Sequence, residues 1–182
     1  MEIVREKLEK LDPRVKRTKH RIRVAFVNLL MKKDISEITV TELAQAADIN
    51  RKTFYVYYAT PSDIWKEMQA EIAQQLQALL FQSSDFQLAT FLQGLNQILG
   101  DDMTFFKLIT MEKDYAYLLS DCINLLRTKL LEKYHQPIKV TYAAAGIINV
   151  YAEWLRNGQV EPLTTLTQQL EVEIGLTFAN KK

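Results

Sequence analysis

Cysteine and histidine are almost absent from the 182-residue chain. The lone cysteine, Cys122, excludes an internal disulfide and a thiolate metal cluster. The two histidines, His20 and His135, lie far apart, which argues against a His-based metal site. We therefore expect neither a metal nor another cofactor. Redox activity of Cys122, next to Asp121, stays open, although a lone helical cysteine is usually a small buried apolar residue.

Glycine and proline are also scarce, with five and four residues. Sheet proteins of this size use more of both in their turns, and no segment alternates with the period of a strand. The sequence therefore predicts an all-α fold of about nine helices.

Long apolar runs are missing as well. The longest, 140–152, falls short of the roughly 18 residues that cross a bilayer. Residues 1–10 lack the apolar core of a secretory signal. We expect a cytoplasmic protein without a membrane partner.

The chain lacks the common catalytic signatures, namely GxSxG, GxGxxG, GxxxxGK[ST] and HExxH. Acidic residues in the carboxyl-terminal part are scattered and have no histidine nearby. We therefore expect that the protein is not an enzyme.

Positive charge, by contrast, is concentrated near the amino terminus. Residues 1–60 hold 13 Lys/Arg against 8 Asp/Glu, whereas residues 61–182 hold 10 against 14. Residues 14–23 (RVKRTKHRIR) contain six basic residues and no acid. This asymmetry favours a module that faces a polyanion. A merely solvated helix face, or a helix lying on a membrane, stays open as an alternative.

The pattern that follows predicts a helix-turn-helix. Apolar residues from Ile22 to Leu30 have helical spacing, in a helix that ends near Lys32. Thr39 and Glu42 form a capping box that begins a short helix. A turn is predicted at 48–50, and Asn50 caps a second short helix through Tyr58.

The remaining sequence predicts longer helices. Thr60 and Pro61 begin one that runs to Phe81. Breaks are predicted at 83–85 and 100–102, and the last two helices cover 137–157 and 162–179. We predict an amino-terminal helix-turn-helix DNA-binding domain over 1–60 and a carboxyl-terminal ligand-binding and dimerisation domain over 61–182.

These segments resemble the DNA-binding domain of the tetracycline-repressor (TetR/AcrR) family over about residues 14–70. The resemblance rests on RTK at 17–19, ITVTELA at 38–44 and INRKTFYVYY at 49–58. It implies an all-helical homodimer that reads a palindrome in double-stranded DNA. It also implies a helical effector pocket and a dimer interface built from the last two helices.

Carried over by position, the resemblance assigns DNA contacts to seven residues, and the cap residues Thr39 and Asn50 complete the predicted set. Thr41 matches a base-reading position, Lys19 a phosphate contact, and Tyr55 and Tyr57 backbone contacts. The full set is Lys19, Thr39, Thr41, Asn50, Arg51, Lys52, Thr53, Tyr55 and Tyr57. The chain departs from the family pattern at Asp48, where glycine is usual, and at Pro61, where many members have a phosphate-binding lysine.

The carboxyl-terminal assignments are less specific, because aromatic residues at helical spacing are more often core than pocket. Ligand contacts are predicted at Phe81, Phe105, Phe106, Tyr115 and Tyr142. Dimer contacts are predicted at Val140, Ala144, Ile147, Tyr151, Leu166 and Leu170.

Together these observations predict a dimeric, sequence-specific DNA-binding transcriptional regulator. We expect a repressor that a small apolar or aromatic effector releases from a palindromic operator. The alternative is a co-regulator whose carboxyl-terminal domain binds a partner protein instead of a small molecule.

Overall fold

The computed structural model describes residues 12–81, 85–112 and 115–179, and these contain nine α-helices, one short 3₁₀ helix and no strand. The predicted all-α fold class is therefore confirmed. The helices are α1 (Pro13–Leu30), α2 (Val40–Ala46), α3 (Arg51–Tyr57), α4 (Pro61–Phe81), α5 (Leu88–Asp101), α6 (Met103–Met111), α7 (Ala116–Tyr134), α8 (Pro137–Arg156) and α9 (Leu163–Phe178), with the 3₁₀ helix at Ile35–Glu37.

Helix α1 begins nine residues before Ile22, the first residue of its predicted apolar face. It begins at Pro13, where Asp12 Oδ1 accepts a hydrogen bond from the backbone N–H of Arg14 at 2.8 Å. The side chains of Ile22 and Phe26 are fully buried, so the predicted apolar face forms the core of the amino-terminal part. The basic residues before Ile22 continue the same helix.

Helices α2 and α3 form the predicted helix-turn-helix. Thr39 and Glu42 complete a capping box at the start of α2, since each side chain bonds the other's backbone N–H. Asp48, in the turn, has a φ of +49°. Asn50 caps α3 through a 2.9 Å bond from the backbone N–H of Lys52 to its side-chain oxygen. The local capping signals are therefore confirmed.

The chain divides into two compact units, the first ending at Ala70 and the second beginning at Glu71. This division falls inside α4, ten residues after the predicted boundary at 60/61. At the start of α4, the backbone N–H of Thr60 donates to Asp63 Oδ2 at 2.8 Å. A single helix therefore supplies residues to both units.

The second unit is built around α8, which packs against α6, α7 and α9. Helices α4 and α5 lie close together at Gly94. A Cβ atom added there would collide with the side chain of Leu79. The core of this unit contains the following residues of α8 and α9: Val140, Ala143, Ala144, Ile147, Ile148, Tyr151, Leu155, Leu166, Leu170 and Ile174.

This core contains the predicted dimer contacts, whose side chains are buried within a single chain: Val140, Ala144, Ile147, Tyr151, Leu166 and Leu170. Their role in a dimer stays a prediction, which burial within one chain does not favour. The exposed apolar residues of α8 and α9 form a different set, which includes Ile138, Tyr142, Val150, Val172 and Leu176.

Some predictions concern residues outside the described ranges. The helix break at 83–85 is one, since residues 82–84 are not described. The expectation that residues 1–10 hold no secretory signal is another. Among the described residues, no helix combines the length and apolar character that a bilayer crossing requires.

Candidate nucleic-acid interface

Helix α3 presents a basic and aromatic face. Phe54 is fully buried and anchors the helix on the first unit. On the other side, Arg51, Lys52, Tyr55 and Val56 are exposed. No acidic residue occurs between 50 and 62. Arginine and lysine are suited to donate to guanine O6 and N7, and tyrosine to phosphate oxygens, so this face has the chemistry of a major-groove helix.

The other predicted α3 and α2 residues differ in exposure. Thr41 is exposed in the first turn of α2, whereas Thr53 and Tyr57 are half-buried at the edges of α3. Asn50 is exposed, but its side-chain oxygen is used in the helix cap.

The hydroxyl of Thr39 both accepts and donates a hydrogen bond in the capping box. The hydroxyl oxygen accepts from the backbone N–H of Glu42 at 3.2 Å, and the hydroxyl donates to Glu42 Oε2 at 2.9 Å. The Glu42 carboxylate is also bound by Lys33 at 2.6 Å. Thr39 therefore positions the start of α2 directly.

Lys19, in the first half of α1, bonds an acid of α4. Its ammonium group is hydrogen-bonded to Glu67 Oε1 on α4, and its side chain is only 16% exposed. The other carboxylate oxygen of Glu67 accepts from Arg23 Nη2 at 2.9 Å and from the Tyr58 hydroxyl. An ammonium held by a half-buried carboxylate is poorly placed to bind phosphate, so this geometry does not favour the phosphate role of Lys19, which stays a prediction.

The electrostatics of this Glu67 cluster (Lys19, Arg23, Tyr58 and Glu67) favour the carboxylate form. Burial alone would raise the pKa of Glu67, but the hydrogen bonds from the two cations and the phenol outweigh it and lower that pKa. Burial and the adjacent carboxylate raise the pKa of Tyr58, which keeps its hydroxyl proton as the donor. The four side chains form a charge-assisted network.

Sequence reasoning missed two sets of residues here. Arg14, Lys16 and Arg17 are exposed on α1 and carry the cationic surface that Lys19 does not; the basic run at 14–23 was the signal for them. Glu67 and its partners on α1 are more than forty residues apart, and no local pattern indicates that pairing.

A surface groove lies next to the helix-turn-helix turn. It has a volume of about 370 Å³ and runs between one face of α1 and the end of α2. Val24, Leu29 and Ala46 contribute apolar surface, and Arg21 and Lys32 are among the lining residues. The groove belongs to the first unit and contains none of the predicted effector residues.

The predicted ligand residues do not share one environment. Phe105 is buried, whereas Phe106 and Tyr115 are partly buried. Phe81 and Tyr142 are exposed. The ammonium of Lys129 lies 5.1 Å from the centre of the Phe81 ring. The ligand site stays a prediction, and the two exposed residues are poorly placed to line an enclosed pocket.

Cys122 is partly buried, and burial together with the adjacent Asp121 raises the pKa of its thiol to about 11. A thiol that stays protonated at neutral pH is a poor nucleophile. The structure favours the interpretation of Cys122 as a packing residue.

Comparison with known proteins gives one related sequence and several related structures. The uncharacterized HTH-type transcriptional regulator YxbF of Bacillus subtilis (strain 168) is 26% identical over 176 residues, which cover 91% of this chain and 46% of that protein. The chain thus spans about half the length of this relative. No protein-family model matches the chain.

Two solved structures have the same architecture. The dihydroxyacetone kinase operon activator DhaS is 22% identical and superposes with a TM-score of 0.61, over 88% of this chain and 96% of that one. A TetR transcriptional regulator from Streptococcus agalactiae 2603V is 19% identical and superposes with a TM-score of 0.56, over 96% and 99%. These relatives are transcriptional regulators and not enzymes. The resemblance in the sequence motifs is confirmed at the level of the fold: the chain has the all-helical TetR-family fold.

Proposed function

We propose that the protein is a dimeric transcriptional regulator that binds a palindromic DNA site in a sequence-specific way. The observation that carries this proposal is the exposed face of α3. It presents Arg51, Lys52 and Tyr55 on a short helix that is capped by Asn50 and anchored by Phe54. Bidentate donors on a helix of this kind discriminate guanine from other bases.

Phosphate contacts are proposed for a different set of cations. Exposed Arg14, Lys16 and Arg17 on α1 replace Lys19 in this role. Such contacts orient the protein on the duplex and set the salt dependence of binding, but they carry little sequence information. Thr41, Thr53, Tyr55 and Tyr57 complete the proposed interface.

A dimer is proposed through the outer faces of α8 and α9. Ile138 and Tyr142 are 86% and 69% exposed, and Val172 and Leu176 on α9 are also exposed. The two helices pack against each other in the second unit, and we propose that their exposed sides form one surface. An apolar surface of this kind marks an association site in a soluble protein.

Regulation by a small apolar or aromatic effector is proposed for the second unit. Phe105, Phe106 and Tyr115 are the predicted contacts that lie inside or partly inside it. Ligand binding would reach the DNA-binding unit through α4, which contributes residues to both units. A 100-fold release of DNA requires about 2.7 kcal/mol of differential ligand binding.

We propose that the regulator acts as a repressor, because a dimer bound across a promoter blocks polymerase and its release restores transcription. DhaS, which has the same fold, is named an activator, so the direction of regulation needs a direct test. A promoter reporter containing the selected site, assayed with and without the protein, measures it.

Native mass spectrometry of protein purified from its host separates a retained small molecule from a protein partner, which the co-regulator alternative requires.

The test of DNA reading uses a duplex selected by the wild-type protein from a randomised pool. Arg51→Ala should cost about 1–3 kcal/mol on this duplex and relax selectivity at one base pair per half-site. Its matched control is Arg14→Ala, which should weaken selected and scrambled duplexes alike and reduce the salt slope by about one unit for each phosphate that is no longer bound. Equal effects of the two substitutions on both duplexes would contradict the assignment of Arg51 as a base-reading residue.

A further inference from the structure

Glu67 is a half-buried acid in the unit proposed to bind DNA. Its carboxylate, on α4, accepts hydrogen bonds from two other helices. Lys19 Nζ and Arg23 Nη2 donate from α1, and the hydroxyl of Tyr58 donates from the end of α3. The ammonium of Lys19 also lies 5.7 Å from the centre of the Tyr58 ring. A negative charge here opposes DNA attraction, so we look for its role in another property.

Tyr58 occupies the carboxyl-terminal cap of the recognition helix. Its backbone N–H bonds the carbonyl of Phe54 at 3.0 Å, and the two rings lie 5.9 Å apart. The side chain is almost completely buried, and its hydroxyl reaches Glu67. The end of α3 is therefore attached to α4 through one hydrogen bond to a charged acceptor.

Helix α3 has seven residues, which is too short for a stable helix without tertiary contacts. Besides the buried side chain of Phe54, contacts at its two ends hold its direction. At its beginning, Arg21 bonds the turn at Asp48. At its end, the anchor is the contact between Tyr58 and Glu67.

We propose that Glu67 is a positioning residue for DNA reading, which holds α3 at the angle that brings Arg51 and Lys52 to the base edges. This inference rests on the proposed function, because it assigns a role within the same interface. Lys19 acts through Glu67: it orients the carboxylate and takes no part in phosphate binding.

A carboxylate is required because it is the side chain that accepts from all three partners at once. Glutamine has the same shape but one acceptor oxygen, and its NH₂ group would face cations that are themselves donors. Glu67→Gln therefore breaks part of the network while it preserves the volume of the side chain. Tyr58→Phe removes the hydroxyl that bonds Glu67 and interacts with Arg23, and it keeps the buried ring.

The test compares binding of a duplex selected by the wild-type protein with binding of a scrambled duplex of the same length and composition. Glu67→Gln and Tyr58→Phe should each lower affinity for the selected duplex by about tenfold, comparable with the effect of one mismatched base pair. Affinity for the scrambled duplex, and its salt slope, should stay within about twofold of wild type, because the exposed phosphate-binding cations are unchanged. Circular dichroism confirms that each variant is folded.

Glu37→Gln is the matched control, since it removes the same charge from an exposed glutamate of the same unit. It should keep the wild-type ratio of selected to scrambled binding. Lys19→Ala should resemble Glu67→Gln and leave the salt slope unchanged. The double variant Lys19→Ala/Glu67→Gln should lose less affinity for the selected duplex than the product of the two single losses, because the two residues act together.

The experiment distinguishes failure of the proposed function from failure of the proposed role of Glu67. A wild-type protein that selects no sequence would contradict the proposed function and this role with it. Wild-type selectivity in folded Glu67→Gln and Tyr58→Phe would contradict the role of Glu67 alone. An equal loss on both duplexes, or a reduced salt slope in Lys19→Ala, would assign the cluster to stability or to phosphate binding and overturn the inference.

Discussion

Arg21 bonds Asp48 twice: its Nη2 donates to the backbone carbonyl at 2.7 Å and to the carboxylate at 2.6 Å. Asp48 is the turn residue with φ of +49°, at the position where the resemblance implies glycine. Aspartate tolerates this left-handed conformation better than most residues. The contact with α1 also fixes the beginning of α3, so the helix-turn-helix retains its turn without a glycine.

Asp48→Gly should leave stability within about 0.5 kcal/mol of wild type. Glycine relieves the strain of the left-handed backbone, while the ion pair that it removes is exposed and contributes little. Asp48→Val should destabilise the protein by about 1–2 kcal/mol, because a β-branched residue is strained at this φ. Urea denaturation of the two variants measures the difference, and equal stability of both would contradict the conformational argument.

Local signals in the sequence predicted the helix-turn-helix well. The capping box at Thr39 and Glu42, the turn at Asp48 and the cap at Asn50 each depend on residues within three positions of one another. Local hydrogen-bonding patterns of this kind can be recognised without a structure. The Glu67 cluster joins residues as much as 48 positions apart, and no periodicity reveals it.

The faces of α8 were harder to assign, for a physical reason. This helix has apolar residues on both its buried and its exposed side, including Ile147 inside and Tyr142 outside. Periodicity identifies an apolar stripe but does not distinguish the core of one chain from a surface that associates with another. The predicted dimer contacts therefore fall on the buried face of α8, and the exposed face is the alternative that the structure adds.

The capping box of α2 should give the first unit an acid-sensitive stability. The side-chain hydrogen bond from Lys33, followed by bonds from the backbone N–H and hydroxyl of Thr39, lowers the pKa of Glu42 to about 2. An unfolded glutamate has a pKa of about 4.3. Because the folded pKa is the lower one, the stabilisation is fully present above about pH 4.3 and is lost as the pH falls towards 2.

Glu42→Gln should therefore flatten the dependence of the unfolding free energy on pH between about 4.3 and 2. Lys33→Met should flatten it partly, because it removes the largest cause of the lowered pKa. Urea denaturation at a series of pH values measures the slopes. A Glu42→Gln variant with the wild-type slope would show that the carboxylate does not contribute through its charge.

Tyr151 illustrates a buried polar network in the second unit. Its hydroxyl donates to Asn96 Oδ1 at 2.9 Å and lies 3.2 Å from Thr167 Oγ1, and burial raises the pKa of the phenol. Tyr151→Phe leaves the Asn96 oxygen without this donor and should cost about 1–2 kcal/mol. Tyr142→Phe, an exposed position on the same helix, is the control and should change stability by less than about 0.5 kcal/mol. Thermal and urea denaturation compare them, and equal stability of the two variants would indicate that the network does not stabilise the core.

The proposed dimer is tested on the exposed face of α8. Tyr142 is exposed there, and a Cβ atom added at Gly146, one helical turn further on, would meet no other atom within 4 Å. Tyr142→Glu places a charge in this apolar surface, so a symmetric interface would bring two such charges together. We expect a shift from dimer to monomer in sedimentation velocity at micromolar concentration.

Val160→Glu is the matched control, because Val160 is also apolar and is 90% exposed but lies in the segment between α8 and α9. This variant should remain dimeric. Monomeric Tyr142→Glu should also lose affinity for a palindromic duplex while its binding to a single half-site stays unchanged, because the two recognition helices then bind independently. A wild-type monomer at micromolar concentration, or a Tyr142→Glu variant that stays dimeric, would contradict association through this face.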